Sequence, residues 1–226
     1  MTGWSPGPAM AAYRDGVTVI CELAAQFTGA RWMSPTPCAD WRAADLAGHL
    51  RCVADDFHEY LDDAPASRFA RLMATGASAE GLGLTLARQN AAELAELPDV
   101  PPDEHIAAFA RSARSYGRRL PALWDQPHHR YRGIVVSVGA MAGLACAEWH
   151  LHAWDLARSL GKGYRPANPD IVLAGWREGM PQLHPAAVAA VPCEGHATAT
   201  PWHGPAAGDP WQALLHAAGR DTRWTT

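Results

Sequence analysis

Apolar side chains recur every three or four residues through most of the first 160 positions, and this spacing restricts the chain to helical folds. It predicts helices over 8–28, 41–61 and 79–97, a further helix capped by Asp103 that runs to about residue 125, and a long helix over 135–160. The last is the clearest, because it is rich in Ala, Leu and Trp, contains no proline and ends at a glycine. No part of the sequence predicts a parallel sheet or a glycine-rich phosphate-binding loop.

The regions between and after these helices are less regular. Residues 62–78 are predicted to be irregular or to hold one short helix. The β-branched residues of R-Y-R-G-I-V-V-S-V (130–138) would suit a strand, and we interpret this segment as the approach and first turn of the long helix. Beyond residue 165 prolines recur, and only two short helices fit, near 169–180 and 209–218.

Together these patterns predict an all-α protein in two parts. Residues 1–165 form an antiparallel four-helix bundle, and residues 166–226 form a short proline-rich C-terminal extension with short helices packed on the bundle. The apolar face of the first helix, 8–28, is a candidate surface for a homodimer.

Composition argues against several classes of function. A formal net charge of -4 with scattered arginines gives little support for nucleic-acid binding. No apolar run approaches the ~18 residues of a membrane-spanning helix, and the first residues lack a secretory signal. The five cysteines are widely spaced and form no C-x-x-C pair, which argues against a disulfide framework or a zinc knuckle. We therefore expect a cytoplasmic protein that binds a small molecule.

The segment A-E-W-H-L-H-A-W-D carries the strongest chemical signal. On a helix, Glu148 and His152 lie one turn apart, so both side chains project from one face and can bind one metal ion. His150 points to roughly the opposite side and cannot join them. A stable site needs a third ligand. The best candidate is His49, which lies on the apolar stripe of the second predicted helix and so faces the bundle interior.

Two histidines and one carboxylate with an open fourth position are typical of catalytic zinc, although neutral imidazole also suits nickel and iron. Asp155 and Asp45 lie one turn from the two histidines and are candidates to orient them, while helix capping is the simpler interpretation of Asp45. A Glu–His pair at this spacing is also common as a plain polar contact on a helix surface. Here residues 141–154 carry no charge except Glu148, and a buried lone carboxylate is costly, which favours a metal.

Two motifs resemble one protein family. T-P-C-A-D-W-R-A-A-D-L-A-G-H-L (36–50) is similar to the N-terminal motif of the mycothiol-dependent maleylpyruvate isomerase family, within the DinB-like superfamily. That motif has a Thr, a Cys two residues on, a Trp, then Asp-Leu and a metal-binding His. E-W-H-L-H-A-W-D-L-A-R-S-L-G (148–161) resembles the second signature, in which Glu and His ligands precede Trp-Asp-Leu-Ala. The resemblance covers roughly 7–165, and 209–220 is similar to the closing segment of one branch of the family.

The resemblance implies a DinB-like four-helix bundle that binds a divalent metal, usually zinc, through His49, Glu148 and His152. It also implies that a low-molecular-weight thiol, mycothiol, coordinates the metal as thiolate. In the isomerase an arginine near the C-terminus helps to bind the thiol or the anionic substrate, and Arg220 is its match here. The residues after about 165 depart from the pattern, since the isomerase carries a fuller sterol-carrier-like domain there.

The predicted function is a metal-dependent enzyme that activates a mycothiol-like thiol for S-transfer to, or cis–trans isomerisation of, a small organic electrophile. Trp149 and Trp154, with Trp41, are expected to form an apolar wall that excludes water and contacts the cosubstrate. One alternative is a metal-dependent lyase, hydrolase or cyclase of specialised metabolism that uses no thiol. Another is a non-catalytic metal-binding stress-response module.

Overall fold

A computed structural model describes residues 4–38, 40–62, 79–131, 134–179 and 208–224. Within them the chain is mostly helical, which confirms the all-α prediction. The segment at 62–78, predicted to be irregular or to hold one short helix, lies outside the described residues apart from Asp62. In chain order the elements are α1 (Pro6–Ala24), a 3-10 helix (Gly29–Met33), α2 (Ala43–Asp62), α3 (Ala79–Glu96), α4 (Pro102–Leu123), β1 (Pro127–Tyr131), β2 (Ile134–Ser137), α5 (Val138–Ser159), α6 (Pro169–Gly179) and α7 (Pro210–Ala217).

Four of these helices form the core of the bundle. α1 and α2 each pack against both α4 and α5. α3 packs on α2, with Leu94 and Leu97 lying over Gly48. The two helices predicted near 169–180 and 209–218 are present as α6 and α7; α6 packs on α5 and α1, and α7 packs on α6. None of the described helices is long and apolar enough to cross a bilayer.

Aromatic rings fill the level at which the four core helices meet. Trp149 of α5 is fully buried, and its ring centroid lies 5.0 Å from that of Phe109 on α4. The same ring lies 6.0 Å from Phe57 on α2 and 6.2 Å from Tyr13 on α1. All three contacts are edge-on, the arrangement that places a positive ring edge against a negative ring face. Each such ring stabilises the bundle by roughly 1.5–3 kcal/mol through burial alone.

α5 is the central helix of the protein. Every residue from Val138 to Ser159 is buried except Ala140, Glu148 and Arg158, which are partly exposed. A helix that is buried on all sides has to be apolar on all sides, as this one is over most of its length. Its few charged residues therefore stand out as costly, and the site described below accounts for them.

The segment before α5 differs from its sequence-based interpretation. The sequence predicts that residues 130–138 begin the long helix, but β1 and β2 pair as an antiparallel hairpin and α5 starts only at Val138. The β-branched run from Ile134 to Val136 favours extended backbone. Ser137 then ends the strand and caps the helix, since its hydroxyl accepts a hydrogen bond from the Ala140 amide at 3.1 Å.

The two predicted helix caps have different outcomes. The prediction that Asp103 caps α4 is wrong, because the helix already begins at Pro102, and Asp103 lies in its first turn. There its charge still favours the helix dipole. Asp45 does serve α2 as a cap, because its Oδ2 accepts a hydrogen bond from the Arg42 amide at 2.7 Å.

Two glycines let α5 and α6 approach each other closely. A Cβ atom placed on Gly143 would lie 2.3 Å from the carbonyl oxygen of Gly175, far inside van der Waals contact. The obstacle is backbone rather than the end of a flexible side chain, so a substituent at this position forces the two helices apart.

Gly143→Ala is therefore expected to destabilise the protein by roughly 1–3 kcal/mol, measured by urea unfolding followed by circular dichroism. Gly7→Ala is the matched control. Gly7 is exposed in α1, and a Cβ atom placed on it would meet no neighbouring group within 4 Å, so the substitution should be neutral or stabilise by up to about 1 kcal/mol. Equal stability of Gly143→Ala and the parent protein would refute the close contact.

Candidate metal centre

Glu148 and His152 form the first part of the site, one turn apart on the buried helix α5. His152 Nε2 lies 3.3 Å from Glu148 Oε2, and the two side chains are 5% and 26% exposed respectively. Two ligands that each lie about 2.1 Å from a tetrahedral zinc ion are about 3.4 Å apart, so the pair already has the spacing of two ligands of one ion. Glu148 lies on the side of the pair that is open to solvent.

His49 of α2 supplies the third potential ligand. Its ring is buried, and the centroids of the His49 and His152 rings are 5.1 Å apart. The candidate ligand atoms of His49, Glu148 and His152 all lie within 4.8 Å of one another. The Nδ1 atom of His49 is buried and has no hydrogen-bond partner among the described residues, a deficit that a metal ion would remove. The three residues thus fit a divalent ion with a fourth position open.

The protonation states of these residues suit that interpretation. Burial lowers the pKa of His49 to about 3, and the charge of His152 adds to the effect, so His49 is neutral. Burial by itself would raise the pKa of Glu148, but the hydrogen bond and charge of His152 hold it below its ordinary value. Burial would lower the pKa of His152, but its hydrogen bonds with Asp155 and Glu148 raise it to about 9. Only His152 carries a proton that a metal ion has to displace.

Asp155 holds the opposite side of the His152 ring. Its Oδ2 accepts a hydrogen bond from His152 Nδ1 at 2.9 Å, and the carboxylate is completely buried. With Nδ1 bound to a carboxylate, Nε2 is the nitrogen that faces Glu148, an arrangement common among metal-binding histidines. The contact that the sequence predicts for Asp155 is therefore present.

Arg220 and Cys38 complete the surroundings of Asp155. Arg220 Nη2 lies 2.8 Å from Oδ2 and Arg220 Nε lies 3.3 Å from Oδ1, so the guanidinium holds both carboxylate oxygens. The Cys38 thiol donates to Oδ2 at 3.3 Å. Cys38, His152 and Asp155 also form a group of the kind that can hold a metal ion, but the guanidinium already supplies a cation there. The centre open to an ion is the one at His49.

A tight turn before α2 explains the spacing of the Thr-Cys-Trp motif. The Thr36 hydroxyl accepts a hydrogen bond from the Cys38 amide at 3.1 Å and donates to the Trp41 carbonyl at 3.0 Å. Asp40 takes a left-handed conformation with φ 65° inside this turn. As a result Cys38 contacts the carboxylate on α5, and the Trp41 ring lies 4.7 Å from the ring of His49.

The remaining predicted residues lie elsewhere. Trp149 belongs to the aromatic cluster of the core, and Trp154 is buried with the guanidinium of Arg158 5.8 Å from its ring centroid. A pocket role for these two tryptophans stays a prediction, whereas the ring centroid of Trp41 lies 4.7 Å from that of the potential ligand His49. His150 points away from the centre, as predicted, and its Nε2 lies 3.0 Å from the carbonyl oxygen of Ala12.

Cys38 is the site residue that reasoning from spacing misses. It is buried, and its partner Asp155 lies 117 positions further along the chain, so no helical period connects the two. The only signal in the sequence is its place in the motif that leads to His49.

Comparison with known proteins gives one family match. The family model described as the mycothiol maleylpyruvate isomerase N-terminal domain matches residues 13–157, well over half of the chain. The matched region includes all three potential ligands and ends before Arg220. No curated protein and no solved structure matches the chain.

We expect the purified protein to bind about one zinc or similar divalent ion per chain, measured by elemental analysis after reconstitution and desalting. His49→Ala, Glu148→Ala and His152→Ala should each lose the ion, because two remaining ligands do not make a stable site. His58→Ala is the matched control, since His58 lies on α2 but contacts Ser115 instead of the ligands. Stoichiometric metal in His152→Ala would refute the ligand assignment.

The raised pKa of His152 predicts a pH dependence for metal binding. Below about pH 9 His152 is protonated in the metal-free protein, so between about pH 6 and about pH 8 each bound zinc ion should displace roughly one proton. The apparent affinity should then rise about tenfold per pH unit over this interval. Titration calorimetry in two buffers of different ionisation enthalpy measures the released proton, and its absence would contradict the pairing of His152 with its two carboxylates.

Proposed function

Because this chain belongs to the family of the mycothiol maleylpyruvate isomerase N-terminal domain, we propose that it is a metal-dependent enzyme that activates a low-molecular-weight thiol of the mycothiol class. The activated thiol attacks a small organic electrophile, with S-transfer or cis–trans isomerisation as the result. The observation that carries the proposal is the cluster of His49, Glu148 and His152, in which two buried imidazoles and one partly exposed carboxylate leave a ligand position open.

The protein residues have separate tasks in this proposal. His49, Glu148 and His152 would hold a divalent ion, with zinc preferred to nickel or iron. When bound, that ion would lower the pKa of a thiol at the open position, so that thiolate would be present near neutral pH although a free thiol has a pKa of about 8.5. His49 offers a neutral nitrogen ligand from α2, and His152 offers a second nitrogen from α5 once its proton is displaced. The ring centroid of Trp41 lies 4.7 Å from that of His49, and its proposed task is to keep water from that side of the site.

S-transfer and cis–trans isomerisation both begin with the formation of the same carbon–sulfur bond. The thiolate sulfur adds to an electrophilic carbon of an activated alkene, and the electron pair of the double bond moves to the neighbouring carbon. If that carbon takes up the proton that the thiol released, the product is a thioether, which is S-transfer. If the carbon–carbon bond rotates and the thiolate is expelled, the double bond returns in the other geometry and the thiol is regenerated.

Arg220 is proposed to lie at the anionic end of the substrate pocket. Its guanidinium forms a bidentate ion pair with Asp155 and is largely buried. A substrate or thiol carboxylate at this position would share the guanidinium with Asp155.

The family match ends at residue 157, and this keeps a thiol-free reaction as a second candidate. The C-terminal residues that would shape a substrate pocket lie outside the matched region, so a metal-dependent lyase, hydrolase or cyclase fits the same three ligands. A non-catalytic metal-binding module also fits them and predicts metal uptake without turnover.

The test is a turnover assay of zinc-loaded protein with mycothiol and a panel of activated alkenes that includes maleylpyruvate. We expect product only when both thiol and metal are present. Glu148→Ala should lower kcat/KM by more than about a hundredfold, a larger loss than is usual when a residue that only contacts a metal ligand is removed. His58→Ala should keep the parent rate. Turnover that is independent of added thiol would sink the thiol mechanism, and metal uptake without any turnover would favour the non-catalytic module.

A further inference from the structure

The C-terminal arm, residues 208–224, is attached to the bundle and touches the surroundings of the metal centre. Trp211, Leu214 and Leu215 of this arm are buried. Near its end, Arg158 Nη2 on α5 donates a hydrogen bond to the carbonyl oxygen of Trp224. Arg220 lies between these two attachments and reaches Asp155.

Asp155 is the point at which three segments of the chain meet. Its Oδ2 accepts hydrogen bonds from His152 on the same helix, from Cys38 in the turn before α2, and from Arg220 in the arm. The carboxylate is completely buried, so these partners, rather than water, set its position. The bidentate contact from the guanidinium also fixes the plane of the carboxylate, because both carboxylate oxygens accept hydrogen bonds from Arg220.

The contacts form a continuous connection from the arm to a potential metal ligand. Arg220 Nη1 is itself held by the carbonyl oxygen of Ala218 at 2.9 Å, so the guanidinium cannot rotate without breaking a contact inside the arm. The arm fixes Arg220, Arg220 fixes Asp155, and Asp155 fixes the ring of His152 through Nδ1. Only the Nε2 face of that ring then points toward His49 and Glu148.

The geometry points to Asp155 and Arg220 as positioning residues that couple docking of the C-terminal arm to metal binding. A docked arm holds His152 in its ligand orientation, and a bound ion in turn stabilises the docked arm, since such coupling is reciprocal. The inference rests on the metal centre of the proposed function and is independent of the thiol chemistry. Removing a residue that hydrogen-bonds to a metal ligand typically lowers metal affinity by about 10–100-fold.

The first test compares the zinc affinity of Arg220→Ala with that of the parent protein, by competition with a chromophoric chelator. Positioning predicts that Kd rises about tenfold or more. An arginine that acted only as a nearby positive charge would repel the ion, so its removal would lower Kd. The two explanations thus differ in sign, and an unchanged or lower Kd would overturn the inference.

Arg165→Ala is the matched control. Arg165 pairs with Asp209 at the start of the arm, but this pair is exposed and does not touch Asp155. Exposed pairs contribute little to stability, so the arm stays docked and Kd should change less than about twofold. A loss of affinity equal to that of Arg220→Ala would show that losing any arginine contact with the arm weakens zinc binding, and it would contradict a specific path through Asp155.

A double-mutant cycle tests that path. Asp155→Asn should weaken zinc binding by about tenfold or more, and adding Arg220→Ala in that background should weaken it no further, because the arginine acts through the carboxylate. Fully additive losses would contradict the connection. Failure of the thiol assay leaves these affinity measurements unaffected, so the two proposals fail separately.

Hydrogen exchange tests the reciprocal effect in the parent protein, where no variant can misfold. Saturating zinc should slow exchange in the arm, including the Arg220 amide that donates to the Leu215 carbonyl at 2.8 Å, by about tenfold or more. Peptides from the β1–β2 hairpin serve as the internal reference, because the hydrogen-bond partners described for the Asp155 carboxylate are His152, Cys38 and Arg220, all outside that hairpin. Equal slowing in the arm and the hairpin, or none in the arm, would overturn the coupling.

Discussion

The charge of Asp155 has to be balanced inside a helix core from which water is excluded, and much of the architecture meets that requirement. α5 can be central to the bundle only if every charge along it has a partner. His152 lies within the same helix, whereas Arg220 comes from the end of the chain and Cys38 from the turn before α2. The bundle, the turn and the arm therefore converge on one carboxylate, and the candidate metal centre lies directly beside that convergence.

The two nitrogens of His152 separate two different electrostatic environments. On the Nδ1 side a buried carboxylate is neutralised by a fixed guanidinium, so no further cation is needed there. On the Nε2 side, Glu148 has no arginine partner among its described contacts. The neutral ring of His49 lies close by, and its Nδ1 has no hydrogen-bond partner among the described residues. The position of Arg220 thus decides which of two overlapping donor groups is open to an ion.

Periodic patterns predict the helices and the inward-facing positions of the three potential ligands, because a helix face is set by residues close together in sequence. Glu148 and His152 share a helix face by spacing alone, and His49 follows from the apolar stripe of α2. The hairpin escapes prediction because three β-branched residues next to a strong helix fit either structure, and Ser137 decides between them. The contacts of Asp155 with Cys38 and Arg220 span 117 and 65 positions. No local sequence pattern predicts which distant side chain will contact Asp155.

The separation of the ligands along the chain has a consequence for the order of folding. His49 and Glu148 are about a hundred residues apart, so in the unfolded chain bringing them together means closing a long loop at a cost in entropy. The donor group exists only after α2 and α5 have packed, and contacts of such long sequence separation form slowly. An ion would therefore enter a finished bundle instead of nucleating one. Once bound, it acts as a removable cross-link between the first half of the chain and the second.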